Sequence, residues 1–171
     1  MEAAQPTGTW PAVAARLAGW HLQSLGFGGQ CHLDPFVART IRDAQADLIS
    51  IKAGINVINA DSMRERVFAP ALHGFLDTIR EGCPNMPIVL VSPIFCPSAE
   101  HRPGPTQPDA TGKFVTLAGY EAIQAGCLTL TRVREILADV VDVRRRGGDR
   151  HLHYVNGLKL FGAADAAEQG G

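Results

Sequence analysis

Chemistry in this chain would come from three loops, each of which follows an apolar segment predicted to be a β-strand. Their sequences are GFGGQCH at 26–32, GINVIN at 54–59 and SPIFCP at 92–97. In an open parallel sheet, the loops at the carboxyl ends of the strands meet at one edge, and sites form there. We therefore expect the functional residues of this chain in these three loops.

The first two loops carry groups that can donate hydrogen bonds to an oxygen atom. The glycines at 26–29 form either a plain tight turn or a loop of backbone donors; they match neither GxGxxG nor GK[ST], which makes a phosphate cradle the weaker interpretation. Asn56 can bond its own loop backbone, or its amide can donate to a developing oxyanion. A glycine N–H and an asparagine amide from adjacent loops would together form an oxyanion hole.

Other chemistry-bearing residues give weaker indications. Ser92 lies at a predicted strand end, where a buried hydroxyl bonded to the backbone is the favoured interpretation. Cys31, His32, Cys96 and His101 lie on loops that can converge, but none of them has the pair spacing of zinc ligands. Cys31 also lacks an obvious paired base for nucleophilic catalysis. A metal or redox module built on Cys31, His32 and Cys96 is therefore the least favoured alternative.

Strands that alternate with helices must position these loops. The apolar patterns predict helices at about 10–18, 35–44, 62–81 and 128–146, and strands at about 20–25, 47–52, 87–92 and 151–155. Residues 93–113 contain five prolines and are predicted to be a long loop, and the tail beyond Phe161 is expected to fray. The alternation predicts an α/β fold with a parallel sheet and helices on both of its faces.

Composition limits the classes of function. The 171 residues include 16 basic and 17 acidic side chains, a net charge of −1, which argues against a nucleic-acid or membrane-surface partner. No apolar run approaches the roughly 20 residues that span a bilayer, and the first residues lack the pattern of a signal peptide. The four cysteines contain no CxxC pair. We expect one soluble, cytoplasmic domain over residues 1–171.

The segment SLGFGGQC and the later segment KAGINVIN resemble the second and third sequence blocks of the SGNH hydrolases, the GDSL-type esterases and acylhydrolases. The resemblance extends from TWPAVAARL at 9–17 to the helix that ends near Arg146. It implies a flavodoxin-like, three-layer α/β/α sandwich and a serine hydrolase that acts on small esters or acylated sugars, without a cofactor. It also implies that Gly29 supplies a backbone N–H, and Asn56 a side-chain amide, to the oxyanion.

Two blocks of the family have no counterpart here. Its nucleophilic serine lies in a Gly-Asp-Ser or Gly-x-Ser motif before the first helix, where this chain has only MEAAQPTG. The general base of the family is the histidine of a C-terminal Asp-x-x-His motif, and in this chain no histidine follows Phe161. Val57 also stands where the family has an aspartate. We expect a domain truncated at both ends and inactive as given. A non-catalytic domain of the same fold that binds a ligand or partner is the alternative.

The family order of strands places the absent first strand between the segments at 20–25 and 47–52. Its absence would leave a slot in the sheet with unpaired strand edges, which favour aggregation. We therefore expect the chain to be marginally stable by itself, unless the leader or another chain fills the slot.

Overall fold

The computed structural model describes residues 5–117 and 125–169, and they form an α/β structure. The helices are α1 (Trp10–Ala18), α2 (Pro35–Asp43), α3 (Ile55–Asn59), α4 (Glu65–Gly82), α5 (Leu130–Arg146) and α6 (Ala163–Gln169). The strands are β1 (Ile49–Lys52), β2 (Ile88–Val91), β3 (Thr106–Pro108), β4 (Phe114–Thr116) and β5 (Leu152–Val155). Among the described helices, none combines the length and the apolar character needed to cross a bilayer.

Three parallel strands form the main sheet, in the order β1–β2–β5. The central strand β2 aligns Leu90 with Ile51 of β1 on one side and with Tyr154 of β5 on the other. Ile88 and Leu90, on one face of the strand, are fully buried, and Val91, on the other face, is 8% exposed, as is usual for a central strand that is covered on both faces. The parallel sheet and its flanking helices confirm the predicted α/β class. They also confirm three of the four predicted strands, each about one or two residues shorter than expected.

The long helix α4 provides much of the core beside the sheet. Its buried residues recur at intervals of three and four positions, which places them on one face: Phe68, Leu72, Phe75, Leu76 and Ile79. Burying a side chain of this size stabilises the fold by about 1.5–3 kcal/mol. The helix packs against α2 and α5, so that this face is covered. The predicted helices at 10–18, 35–44, 62–81 and 128–146 are all confirmed, with ends shifted by up to three residues.

The helix ends follow from local sequence. Gly19 ends α1 with a φ of +68°, a left-handed conformation that glycine adopts without a steric penalty. The side chain of Thr129 caps α5, since its Oγ1 accepts a hydrogen bond from the backbone N–H of Arg132 at 3.2 Å. The α5 helix therefore begins at Leu130, close to its predicted start.

The predicted strand at 20–25 is wrong. These residues lie in the described range but form no regular structure, and Trp20 and Leu22 are 64% and 41% exposed. A strand forms where a neighbour satisfies its backbone N–H and C=O groups, and no strand of the described residues pairs with this segment. Within the described residues, β1 pairs with β2 alone, so β1 is an edge strand. The expected further strand on this edge stays a prediction.

Two other expectations from the sequence are wrong. The predicted long loop at 93–113 contains β3 and leads into β4, and these two strands form an antiparallel hairpin. Asp109 stabilises the turn of this hairpin, because its carboxylate accepts hydrogen bonds from the N–H groups of Thr111 and Lys113. The tail that was expected to fray contains α6. Its alanine-rich sequence favours a helix, and Asp165 caps the start by accepting the N–H of Gly162 at 2.6 Å.

Candidate active site

Gly29 lies in an exposed turn between α1 and α2. Its φ is +72°, and a Cβ at this position would meet no other atom within 4 Å. Glycine is therefore required here by the backbone conformation and not by lack of space. The turn is closed by the N–H of Gln30, which donates to the carbonyl of Phe27 at 3.0 Å, and the N–H of Gly29 itself has no acceptor among the described residues.

Asn56 is held at the carboxyl end of β1, where Gly54 turns the chain into the short helix α3. Gly54 has a φ of +113°, and a Cβ there would overlap Cγ1 of Val133 on α5. This close approach places the start of α3 against the core, with Val57 and Ile58 buried. Asn56, on the opposite side of the helix, is half-buried. Helix α3 was not predicted from the sequence, because five residues are too few to show a helical period.

A hydrogen bond joins the two loops that were predicted to carry the site. The backbone N–H of Cys31, two residues after Gly29, donates to Oδ1 of Asn56 at 3.1 Å. This bond occupies the acceptor end of the carboxamide and so fixes its orientation. The donor end, Nδ2, has no acceptor among the described residues, which leaves it available to another oxygen. The structure thus brings together the loop of Gly29 and the side chain of Asn56.

His32 makes a second link, from the loop after Gly29 to the loop between α3 and α4. Its Nδ1 lies 2.8 Å from Oγ of Ser62, which is exposed in the loop between α3 and α4. The backbone N–H of Ser62 also donates to the carbonyl of Val57, next to Asn56. The sequence gives no indication of this pair, because the two residues lie 30 positions apart in the chain.

The backbone on both sides of this pair is unusual. In the described ranges, Leu33 and Asp61 are the two residues other than glycine with a positive φ, at 60° and 46°. Leu33 follows His32, and Asp61 precedes Ser62. Residues held in this region cost about 1–3 kcal/mol each and cluster at functional sites. Burial of the Leu33 side chain, which is 6% exposed, offsets this cost on one side.

Ser92 is structural, as the sequence analysis favoured. The residue is fully buried, and its Oγ accepts hydrogen bonds from the N–H of Gly157 at 2.9 Å and the hydroxyl of Tyr154 at 3.0 Å. A Cβ on Gly157 would collide with the carbonyl oxygens of Ser92 and Pro93, so the chain after β5 packs directly on the end of β2. The Ser92 hydroxyl therefore links the end of β2 to the end of β5 through hydrogen bonds, and it is not accessible to a substrate.

A buried ion pair organises the loop that follows β2. The guanidinium of Arg134 on α5 donates to both carboxylate oxygens of Glu100, at 2.7 and 2.8 Å, and to the carbonyls of Pro93 and Ile94, both at 2.9 Å. Glu100 also accepts the backbone N–H of Cys96 at 3.0 Å. Burial acts to raise the pKa of Glu100, but the bonds to Arg134 and Cys96 outweigh it, and the net pKa is lowered.

The cysteines do not form a metal centre in the described residues. Cys31 is partly buried, and this desolvation raises the pKa of its thiol, with a smaller contribution from the charge of Asp34. The described residues contain no group of three or more His, Cys, Asp or Glu side chains that could hold a metal ion, so Cys31, His32 and Cys96 do not converge on one. Cys96 instead contacts Ser98, with 3.4 Å between Sγ and Oγ.

The chain is similar to three solved chains, and two of them are named below. No family model and no curated protein matches the chain. A salicylyl-acyltransferase, SsfX3, from a tetracycline biosynthetic pathway is 34% identical with a TM-score of 0.74, over 94% of this chain. A protein described as a GDSL-like lipase, from Bacteroides ovatus, is 20% identical with a TM-score of 0.62, over 89% of this chain. The chain spans only 40% and 37% of the length of these two structures.

Proposed function

We propose that this chain, which has a GDSL/SGNH-type hydrolase fold, forms the oxyanion-binding part of an acyl-transfer site for small esters or acylated sugars. In this proposal, the backbone N–H of Gly29 and the Nδ2 group of Asn56 donate to the carbonyl oxygen of the ester. The two similar structures are described as an acyltransferase and a lipase, and both names denote chemistry at an acyl carbonyl.

The observation that carries the proposal is the hydrogen bond from the Cys31 N–H to Oδ1 of Asn56. A carboxamide can rotate by half a turn and exchange its donor and acceptor ends. Because Oδ1 is occupied by a backbone donor, Nδ2 faces away from Cys31 as a preorganised donor. Preorganised donors aimed at a developing negative charge are usually the largest single contribution to catalysis of acyl transfer.

The reaction that such donors assist passes through a tetrahedral intermediate. A nucleophile adds to the ester carbonyl, the carbonyl oxygen becomes an oxyanion, and the alcohol then leaves. One donor to this oxyanion contributes about 10²–10³-fold to the rate, or roughly 2.7–4 kcal/mol. The donors require no metal or cofactor to act.

The sequence contains neither the Gly-x-Ser nor the Asp-x-x-His motif of the family, so the oxyanion donors are the part of the family's site that Gly29 and Asn56 can supply. With the oxyanion donors alone, a hydrolase keeps a residual acceleration of about 10³–10⁴-fold over water. We expect the oxyanion donors by themselves to give this chain no more than that residual rate toward simple esters.

The test is hydrolysis of p-nitrophenyl acetate by the chain and two variants. Asn56→Ala removes Nδ2 and should lower the residual rate about 10²-fold or more. Asn59→Ala changes the same residue type on the same short helix, without an intramolecular side-chain hydrogen bond in the described structure, and should leave the rate unchanged. Equal rates for the two variants would contradict the proposal.

A further inference from the structure

Ser62 differs from the other serines of the chain in its surroundings. All five serines, Ser24, Ser50, Ser62, Ser92 and Ser98, lie in the described ranges. Ser62 is the one that is hydrogen-bonded to a histidine, through the 2.8 Å contact of its Oγ with Nδ1 of His32. In the tautomer that carries its proton on Nε2, His32 accepts this bond from the hydroxyl of Ser62. An exposed hydroxyl bonded to a neutral imidazole is the arrangement that activates serine as a nucleophile.

The pair is also held in place by its surroundings. Leu33, which follows His32, and Asp61, which precedes Ser62, both have a left-handed backbone conformation, so the chain bends sharply beside each member of the pair. The residue before His32, Cys31, bonds Oδ1 of Asn56, and the N–H of Ser62 bonds the carbonyl of Val57. The pair and the carboxamide of Asn56 are therefore parts of one loop cluster.

We propose that Ser62 and His32 are a nucleophile–base pair that accepts an acyl or phosphonyl group from an activated ester. This inference rests on the proposed function, because Asn56 is the donor that would stabilise the oxyanion beside the pair. Ser62 differs from the family's nucleophile, whose sequence motif this chain does not contain. Within the described residues no carboxylate is bonded to His32, so the pair is a dyad without a third member.

With an ester, the Oγ of Ser62 forms a bond to the carbonyl carbon, and its proton passes to Nδ1 of His32. The carbonyl π electrons move to the oxygen and return when the bond from carbon to the alcohol oxygen breaks. The alcohol leaves with the proton from His32, and Ser62 carries the acyl group. With a fluorophosphonate, the hydroxyl proton of Ser62 likewise passes to Nδ1 of His32, the Oγ–P bond forms, the P–F bond breaks, and fluoride leaves with the bonding electrons.

Cys31 is the competing nucleophile in this cluster, and its state favours Ser62. A cysteine reacts as its thiolate, and burial raises the pKa of the Cys31 thiol. Cys31 therefore remains protonated near neutral pH. Ser62 is exposed to solvent and needs no ionisation before attack, because the base removes its proton in the same step.

The test is labelling of the whole chain with an alkyl fluorophosphonate, followed by peptide mass spectrometry that compares the rate of modification at each serine. A base contributes about 10²–10⁴-fold, so Ser62 should react at least about 10²-fold faster than Ser50 and Ser98, which are exposed serines without a histidine partner. His32→Asn retains an acceptor for the Ser62 hydroxyl but no base, and should lower the rate at Ser62 to that of Ser50. Circular dichroism verifies that the variant is folded.

The inference is wrong if, in the chain without substitutions, the fluorophosphonate labels Ser62 no faster than Ser50 and Ser98. This holds whatever the results for the variants are. An unchanged rate at Ser62 in a folded His32→Asn variant would overturn it as well. If Ser62 is unreactive while ester hydrolysis still depends on Asn56, the inference fails and the proposed function stands. If Ser62 reacts but Asn56→Ala alters neither labelling nor hydrolysis, the oxyanion role of Asn56 fails and the dyad stands.

Discussion

Removing the carboxylate of Glu100 should destabilise the chain more than any surface substitution. The side chains of Glu100 and Arg134 are only 10% and 8% exposed, so the pair is shielded from solvent. Glu100→Ala deletes the two carboxylate acceptors of the Arg134 guanidinium, at 2.7 and 2.8 Å, and the acceptor of the Cys96 N–H. The guanidinium would remain buried with a full positive charge.

Breaking a buried ion pair by removing one partner costs about 3–5 kcal/mol. Arg134 keeps its bonds to the carbonyls of Pro93 and Ile94, which partly compensate the loss. We therefore expect a decrease of about 3 kcal/mol, near the lower end of this range.

The assay is urea unfolding at pH 7, followed by circular dichroism. The matched control is Glu135→Ala, which removes a glutamate from an exposed ion pair with Arg132, where the glutamate side chain is 55% exposed. The control should lose less than about 1 kcal/mol. If Glu100→Ala and Glu135→Ala lose the same free energy of unfolding, the buried pair does not hold the loop and the reasoning is wrong.

The stability that Glu100 contributes should also depend on pH. The pKa of Glu100 is lowered in the folded state relative to its ordinary value of 4.5. A lowered folded-state pKa contributes stability that is fully present above the unfolded pKa and is lost as the pH falls through the folded pKa. The difference in stability between the unmodified chain and Glu100→Ala should therefore be constant near pH 7 and shrink below about pH 4.5. A difference that grows on acidification would contradict this sign.

Three further substitutions test the packing around the site, each by urea unfolding. Gly54→Ala places a Cβ against Val133 at a φ of +113° and should cost about 2 kcal/mol or more; a neutral effect would show that the start of α3 can move. Leu72→Ala, at a fully buried position, should cost about 2–5 kcal/mol, and a loss below 1 kcal/mol would contradict its place in the core. Thr129→Ala removes the cap of α5 and should cost about 1 kcal/mol, whereas Thr129→Ser should retain most of it.

The sheet and the long helices could be predicted because their signals are local. The segment PIVLVS at 87–92 is apolar at nearly every position, which is typical of the buried central strand that β2 is. Helix α4 shows its period over five turns. The segment WHLQSL at 20–25 is apolar at only three of its six positions, and a strand also needs a neighbouring strand, which a local pattern does not reveal.

The site could be predicted in part. The glycine turn at 26–29 and Asn56 were recognisable from their own sequences and from the resemblance they carry. The hydrogen bond from the Cys31 N–H to Asn56, which connects them, could not be predicted, because every residue except proline has a backbone donor. The pairs His32–Ser62 and Arg134–Glu100 each join residues 30 or more positions apart, and a single sequence gives no indication of such contacts.

The central claim is that Nδ2 of Asn56 donates to an oxyanion, and Asn56→Asp tests it most directly. Aspartate keeps an oxygen for the N–H of Cys31, so the loop contact at 3.1 Å survives, but it replaces the donor with a negatively charged oxygen. We predict that the residual hydrolysis of p-nitrophenyl acetate falls by about 10²-fold or more, while the free energy of unfolding changes by less than about 1 kcal/mol. An unchanged rate of hydrolysis in the folded Asn56→Asp variant would contradict the claim.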